Sequence, residues 1–170
     1  MDLFPRLAAS SATFRDEPLG AALERLAALG FARVGLVAVP DYCEHFDPLL
    51  VDVGEEECAR ARGEFLARNL RAVSVTGVPA NPLDRRINRD AWLDMIFGYT
   101  ACARGLGAET LILSPGEPAP EDAYWRGEVE HAKPWLRDAA GRALAARLAP
   151  ALTVAPGTLL SSSRRALELL

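Results

Sequence analysis

The chain has 170 residues, of which 50% are hydrophobic and 25% are charged, a composition that excludes a disordered protein. Its formal net charge of −4 argues against nucleic acid as a partner, because phosphate binding requires a concentrated basic surface. No run of residues approaches the ~20 apolar positions that a membrane-spanning helix needs, so no membrane partner is expected.

The cysteines indicate the compartment. Cys43, Cys58 and Cys102 are odd in number and lack CxxC spacing, so neither a disulfide framework nor a zinc ribbon is predicted. The N-terminus has no basic region followed by an apolar run, as a secretory signal would have. A cytoplasmic protein is expected, with Cys102 as a small core residue.

Strand-like and helix-like segments alternate along the chain. The strand-like runs are 7–14, 32–39, 72–76, 109–113 and 151–155, and a helix-like segment follows each of them. Regular βα units joined by right-handed crossovers build parallel sheets. A complete (β/α)8 barrel usually needs ~250 residues. The sequence therefore predicts an α/β fold: a partial (β/α)8 TIM barrel of about five βα units, forming one truncated domain over residues 1–170.

Three helices can be delimited from capping residues and periodicity. The first begins at Asp16-Glu17-Pro18 and ends at Gly30. The third covers residues 88–106, and a later helical pattern covers 121–148, with a break or kink expected at Pro134. The third helix is predicted to place one apolar face on the core, formed by Leu93, Ile96, Phe97 and Ala101.

Candidate site residues follow the predicted strands, since ligands bind at the carboxyl ends of strands in parallel sheets. The loop 41–47 is the richest, with an imidazole, a thiol and three carboxylates. The alternatives are a solvated surface histidine in this loop and a purely turn-forming role for the Asn and Asp of 81–84. The predicted ligand-binding residues are His45, Glu44, Asp47, Asn81, Asp84, Ser114 and Glu117.

No general catalytic signature is present. The sequence has no GxGxxG, P-loop, GxSxG or HExxH pattern. His131 lies within a helical pattern far from any strand end, so a structural role is expected for it. The catalytic residues stay unassigned.

Four stretches carry a family resemblance through their order and spacing. They are 30–36, 81–84, 103–111 with 114–116, and 152–156 with 165–170. On these stretches the chain resembles the N-terminal part of the xylose isomerase-like TIM barrels, the sugar phosphate isomerase/epimerase family of carbohydrate metabolism.

The resemblance implies a divalent metal such as Mn or Mg in intact relatives, which polarises a sugar carbonyl or hydroxyl while carboxylates move protons. This sequence has Ala155 where the family typically has a metal-binding Glu before Pro. It has Ser114 where many relatives have His, and the remaining ligands belong to later strands. No metal or other cofactor is therefore expected in this chain.

Two hypotheses for function remain open. The first is an isomerase or epimerase fragment that is inactive without the missing half. The second is a non-catalytic α/β protein that binds a small polar or sugar-like ligand, or a partner. Open sheet edges also predict a homo-oligomer or a bound partner. Apolar residues expected to need cover on the would-be barrel interior are Val34, Leu36, Val73, Val75, Leu111, Leu113 and Val154.

Overall fold

The computed structural model describes residues 7–39, 42–47, 54–77, 82, 87–115, 125–154, 159–160 and 162–169. These residues contain six strands: β1 (Ala9–Ser10), β2 (Arg33–Val39), β3 (Cys43–Glu44), β4 (Arg71–Gly77), β5 (Thr110–Leu113) and β6 (Ala149–Leu152). They also contain five α-helices: α1 (Leu19–Ala28), α2 (Gly54–Ala67), α3 (Arg89–Leu106), α4 (Trp125–Ala145) and α5 (Ser163–Leu169). A 3-10 helix (Ser11–Phe14) follows β1 directly.

The strands form one sheet in the order β1-β2-β4-β5-β6, and every neighbouring pair along this path is parallel. The short β3 pairs antiparallel with the end of β2. Over the described residues the path does not close on itself, so β1 and β6 lie at its two edges. The alternation of strands and helices predicted from the sequence is confirmed. Within the same ranges, no helix combines the length and apolar character needed to cross a membrane.

The first and last predicted strands differ from the observed ones. The first is wrong beyond Ser10, because the Ser10 hydroxyl accepts a hydrogen bond from the amide of Ala12 and starts the 3-10 helix. The last begins at Ala149, whose amide donates to the carbonyl of Glu109, and ends at Leu152. Residue 155 lies outside the described residues.

Helix α3 has the predicted bounds but a different buried face. Asn88 caps its start by accepting a hydrogen bond from the Asp90 amide at 2.8 Å, and Gly107 ends it with a φ of 71°. Phe97 and Ala101 are exposed, so their predicted place on the core face is wrong. The buried positions are Trp92, Leu93, Ile96, Tyr99, Thr100, Cys102 and Ala103.

Helix α4 continues through Pro134 as one element. A break at this residue is therefore excluded. The proline still removes one backbone donor from the helix interior. His131 is exposed on this helix, and the centre of its ring lies 5.9 Å from that of Trp135.

The hydrophobic core lies between the sheet and the helices. Five strand residues that were expected to line the would-be barrel interior belong to this core instead. They are at most 2% exposed: Val34, Leu36, Val75, Leu111 and Leu113. They pack with Leu23, Trp92 and Ile96 of the helices. The assignment of these five residues to the would-be barrel interior is therefore wrong. Val154 follows the end of β6 and is 45% exposed.

The opposite side of the sheet has a different composition. The strand registers place Gly35, Ser74 and Thr110 in one row and Val37, Thr76 and Ile112 in the next. We call these six residues the open face. Except for Val37, they are partly exposed. Glycine, serine and threonine tolerate water, so leaving this side uncovered costs less than an apolar surface would.

Candidate functional site

The loop after β2 turns back into the protein. Pairing of Glu44 with Ala38 and of Cys43 with Val39 forms β3 and directs the next residue inward. His45 is 3% exposed and Cys43 is 1% exposed. The alternative of a solvated surface histidine is therefore wrong.

Both ring nitrogens of His45 lie within hydrogen-bond distance of protein groups. Nε2 is 2.9 Å from the carbonyl oxygen of Glu17, and Nδ1 is 3.0 Å from Oγ of Ser11. A carbonyl oxygen only accepts, so Nε2 donates and Nδ1 is the acceptor in the neutral ring. The imidazole thus joins the loop after β2 to the segment after β1.

Ser11 and Cys43 complete this buried cluster. The Ser11 hydroxyl accepts a hydrogen bond from the Val37 amide at 2.9 Å. Sγ of Cys43 lies 3.3 Å from Nδ1 of His45 and 3.5 Å from the Val37 carbonyl oxygen. Burial raises the pKa of the Cys43 thiol. Burial therefore favours the protonated thiol of Cys43, which is a weak nucleophile.

A polar cavity of about 270 Å³ opens beside this cluster. It is lined by Arg15, Asp16, Glu17, Pro18, Leu19, Glu44, His45 and Arg60. We call it the β1–β2 pocket, because its wall comes from the segments that follow β1 and β2, with Arg60 added from α2. It therefore lies at the carboxyl ends of parallel strands, where this class of sheet binds ligands.

An ion pair and a cation–π contact hold the two arginines around the pocket. Arg60 donates to Oε1 of Glu57 at 2.7 Å and to the backbone carbonyl of His45 at 3.4 Å. The hydrogen bond from Arg60 lowers the pKa of the Glu57 carboxyl below its ordinary value. The guanidinium of Arg15 lies 4.8 Å from the centre of the Tyr42 ring. Both cations are thereby preorganised at the pocket wall.

The structure brings two of the predicted site residues together. Glu44 and His45 line the pocket. Asp47 is exposed on the same loop, and Ser114 follows β5, two strands from β2 in the sheet order. The remaining predicted residues, Asn81, Asp84 and Glu117, lie outside the described residues.

Sequence reasoning missed the other charged residues of the pocket. Arg15, Asp16 and Glu17 follow the first strand, so the rule about carboxyl ends of strands would have included them. The pattern of residues 16–18 predicts a helix start, and it gives no separate sign of ligand binding. Arg60 belongs to α2, and only its spacing of three residues from Glu57 marks it as a partner.

The described residues do not fit the divalent metal that the family resemblance implies. Among them, no group of three or more His, Cys, Asp or Glu side chains could hold a metal ion. Cys43 and His45 are in contact, but the imidazole already bonds to Ser11 and Glu17. Ala155 lies outside the described residues.

Comparison with known proteins gives matches of structure without matches of sequence. No family model matches the chain, and no curated protein matches it. The IOLI protein with a bound zinc atom has a TM-score of 0.70 at 14% identity. The family 2 AP endonuclease of Brucella melitensis has a TM-score of 0.69 at 18% identity. The D-psicose 3-epimerase of Clostridium cellulolyticum H10, in complex with D-tagatose, has a TM-score of 0.68 at 13% identity.

These matches cover nearly all of this chain and a little over half of each neighbour. The covered shares of this chain are 95%, 97% and 95%, and those of the three neighbours are 56%, 64% and 57%. A further match is a xylose isomerase domain-containing protein of Salmonella typhimurium, with a TM-score of 0.64 at 16% identity. The parallel sheet, its open path and these neighbours together identify the fold as part of a (β/α)8 TIM barrel.

Proposed function

We propose that this chain is part of a sugar isomerase/epimerase-like barrel and binds a small polar, sugar-like ligand in the β1–β2 pocket. On this proposal the chain alone does not catalyse conversion of the ligand. The single observation that carries the proposal is the position of the pocket. It lies at the carboxyl ends of β1 and β2 and is lined by opposite charges held in place by other contacts.

The chemistry of the pocket suits a polyhydroxy compound. Arg15 and Arg60 supply N–H donors, and Asp16, Glu17 and Glu44 supply carboxylate acceptors. A sugar hydroxyl both donates and accepts, so it can satisfy either set. Since carboxylates outnumber guanidinium groups around the pocket, a neutral sugar suits it better than a doubly charged phosphate does.

The same residues do not suggest complete catalytic machinery. Moving a proton next to a sugar carbonyl needs a general base within reach of the substrate and a group that stabilises the negative oxygen. His45 points its nitrogens at Ser11 and Glu17, and burial favours the protonated thiol of Cys43. Among the described residues named from the sequence, Glu44 is the carboxylate that lines this pocket. We therefore infer that catalysis would depend on groups outside the described residues.

The names of the structural neighbours support the general class of ligand. They include D-psicose 3-epimerase, 3-keto-D-glucoside 4-epimerase and L-ribulose 3-epimerase, all of which are sugar epimerases. A place in carbohydrate metabolism is part of the proposal.

The second candidate function is a non-catalytic one, in which the sheet binds a partner. The observation that favours it is the open face, where Ser74, Thr76 and Thr110 are partly exposed. Under this alternative the β1–β2 pocket would be a structural junction, and sugar binding would be absent.

Binding and turnover can be tested in the same preparation. D-psicose and L-ribulose are titrated into the purified chain by calorimetry, and each mixture, with and without added Mn²⁺, is then analysed for epimers by chromatography. We expect saturable binding without turnover. Glu44→Gln should weaken binding about tenfold, as expected for one lost charge-assisted hydrogen bond, whereas Glu130→Gln on α4 should leave binding unchanged.

Each result has a distinct meaning. Epimer formation by the chain alone would contradict the proposed inactivity. Absence of binding for both sugars would contradict the sugar site and favour the partner-binding alternative. Equal weakening in Glu44→Gln and Glu130→Gln would place the ligand elsewhere.

A further inference from the structure

A second cavity lies between α3 and α4. Its volume is about 250 Å³, and it is lined by Phe97, Thr100, Arg104, Arg142, Ala145 and Ala146. We call it the α3–α4 groove. It shares no lining residue with the β1–β2 pocket. Its wall combines an apolar part with two guanidinium groups, so its chemistry differs from that of the β1–β2 pocket.

The course of the two helices places both arginines toward one end of the groove. Helix α3 connects β4 to β5, and α4 connects β5 to β6, and these three strands are parallel. The two helices therefore run in the same direction. Arg104 and Arg142 both belong to the last turn of their helices. The groove thus has a cationic end formed from both of its walls.

The apolar part of the groove extends from this end toward Phe97. Phe97, Thr100 and Arg104 follow one another at spacings of three and four residues, so they lie on one face of α3. Phe97 precedes Arg104 by two helical turns, or about 10 Å along the axis. The Phe97 ring is 56% exposed. A ligand with an apolar body at this end would remove part of that ring from water.

Thr100 gives the groove no hydrogen-bond donor. Its side chain is buried, and its hydroxyl donates to the Ile96 carbonyl at 2.7 Å. A hydroxyl has one proton, so this group can only accept a further hydrogen bond. Of the side chains that line the groove, Arg104 and Arg142 are therefore the donors. Both are cationic, which favours an anion as the ligand.

The charges of the two arginines are not neutralised by carboxylates of the described residues. Neither guanidinium group forms an ion pair within that part of the chain. No acidic residue stands three or four positions from Arg104. Asp138 stands four positions before Arg142, but its carboxylate pairs with Arg89 of α3. Two like charges thus line one small cavity, and an anion between them would reduce their repulsion.

We propose that the α3–α4 groove binds a small amphipathic carboxylate, such as a medium-chain fatty acid, at a site separate from the β1–β2 pocket. The carboxylate accepts hydrogen bonds from Arg104 and Arg142, whose planar guanidinium groups match its geometry. The hydrocarbon chain lies against Phe97, Ala145 and Ala146. The groove is smaller than the ~300–1,000 Å³ of sites for drug-sized molecules, so a short chain fits it better than a long one.

A purely structural role for the two arginines is the alternative. Cations in the last turn of a helix compensate the partial negative charge of its terminal carbonyl groups. In that role Arg104 and Arg142 contribute to stability whether or not the groove is occupied. The proposal therefore requires a change in ligand affinity when an arginine is replaced, and the alternative requires only a change in the stability of the free protein.

Calorimetric titration of the full chain with octanoate tests the proposal, with acetate and octanol as reference compounds. Acetate has the charge without the chain, and octanol has the chain without the charge. We expect saturable binding of octanoate with a Kd of about 0.1 mM, and binding of both reference compounds weaker by at least about tenfold. An excess of D-psicose should leave the octanoate affinity unchanged, because the two sites share no residue.

Variants assign the binding to the groove. Arg104→Gln and Arg142→Gln should each weaken octanoate binding about tenfold, as expected for one lost charge-assisted hydrogen bond. Arg137→Gln removes the same charge from an exposed position of α4 outside the groove and should leave the affinity unchanged. Phe97→Ala should weaken octanoate binding as well, because the chain loses its apolar contact. All four positions are exposed, so none of these variants removes a buried side chain.

Other outcomes would overturn the proposal. They are a lack of saturable octanoate binding, equal affinities for octanoate and octanol, and competition by D-psicose, which would place octanoate in the β1–β2 pocket. Equal octanoate affinities of Arg104→Gln and Arg137→Gln would also overturn it. If the arginine variants then had lower thermal midpoints, Arg104 and Arg142 would serve only the helix ends.

Discussion

His45 is held on both sides of its ring by groups of the same chain. Ser11 and the Glu17 carbonyl occupy its two nitrogens, and they belong to the segment after β1. A buried polar side chain with both nitrogens paired stabilises the fold, and the removal of one partner leaves the others buried and unpaired. His45 therefore contributes to the shape of the β1–β2 pocket even before any ligand binds.

Replacement of this residue should be costly. We expect His45→Ala to lower the free energy of unfolding by about 2 to 4 kcal/mol, because the Ser11 hydroxyl and the Glu17 carbonyl lose their partner. Glu44→Ala, one residue earlier and exposed, should change it by less than about 0.5 kcal/mol. Urea unfolding of both variants measures the difference. Equal stability of the two variants would contradict a structural role for His45.

Glu57 gives the stability of the protein a dependence on pH. Arg60 lowers the pKa of this carboxyl from its ordinary value of 4.5. A carboxyl with a depressed pKa in the folded state stabilises the protein above the pKa of the unfolded chain. That contribution is lost as the pH falls through the lower, folded value.

The pH effect can be isolated with a neutral variant. Glu57→Gln should be less stable than the wild type by up to about 1 kcal/mol near neutral pH, and the difference should vanish as the pH falls below the ordinary carboxyl range. Glu56→Gln removes the same charge from the exposed neighbouring position and serves as the control. The free energy of unfolding is measured across acid pH, and a difference that stays constant with pH would contradict the prediction.

At the scale of elements, the sheet and α3 are held together by a close contact at the end of β4. A Cβ atom on Gly77 would lie 2.6 Å from the ring of Tyr99, and the hydroxyl of Tyr99 donates to the Ala38 carbonyl at 3.0 Å. The ring can move away only by giving up this buried hydrogen bond. Gly77 thus fixes how closely α3 approaches β2 and β4.

Two glycine substitutions should change the free energy of unfolding in opposite directions. Gly77→Ala should destabilise the protein by about 1 to 3 kcal/mol through overpacking against Tyr99. Gly141→Ala on α4, where nothing lies within 4 Å of the added Cβ, should stabilise it by about 0.5 to 1 kcal/mol. Thermal unfolding of each variant measures both effects. A stabilising Gly77→Ala would show that Tyr99 relocates at no cost.

The sequence pattern predicted the helices and strands well. It predicted less well which face of each element is buried. The apolar runs of β2, β4 and β5 locate these strands to within a residue, because parallel strands are rich in β-branched residues. The same near-continuous runs do not show which alternate residues face the helices. Val34 and Leu36 were therefore assigned to the wrong side of the sheet.

The candidate site was predictable only in part, for a similar reason. The rule about strand ends led to Glu44 and His45, and both line the β1–β2 pocket. The burial of His45 was not predictable, because it depends on the antiparallel pairing of β3, a two-residue strand whose hydrogen bonds leave no periodic signal. The part played by Ser11 was hidden because its partner is 34 residues away.

At the scale of the whole molecule, the outer edge of β6 carries a structural obstacle to pairing. The amides of Ala149 and Thr153 donate to the carbonyls of Glu109, just before β5, and of Leu113 in β5. Alternate residues of a parallel strand point their backbone groups to opposite sides, so the nitrogen of Pro150 faces away from β5. Proline has no N–H, and an edge strand that lacks an outward donor is a poor template for another strand. Self-association through this edge remains a prediction, and we expect Pro150 to lower the affinity of the dimer.

Sedimentation velocity at micromolar concentration tests this prediction. We expect the wild type to form a reversible dimer. Pro150→Val restores the outward donor and should strengthen this dimer. The dimer of Pro150→Lys should be weaker than that of Pro150→Val. Lysine restores the same donor but brings like charges together in a symmetric pair. If all three chains sediment as monomers, edge pairing does not occur. The partly exposed open face would then be stable in water.

The other end of the sheet determines how far such pairing could spread. Chains that offer a usable edge at both ends add to one another without limit and form fibres, whereas chains with one usable edge stop at a closed pair. Here β1 pairs with β2 over only two residues, and the reversed β3 pairs with the end of β2. Copies joined through β6 would therefore end as finite dimers, and the β1–β3 end would act as a terminator of polymerisation.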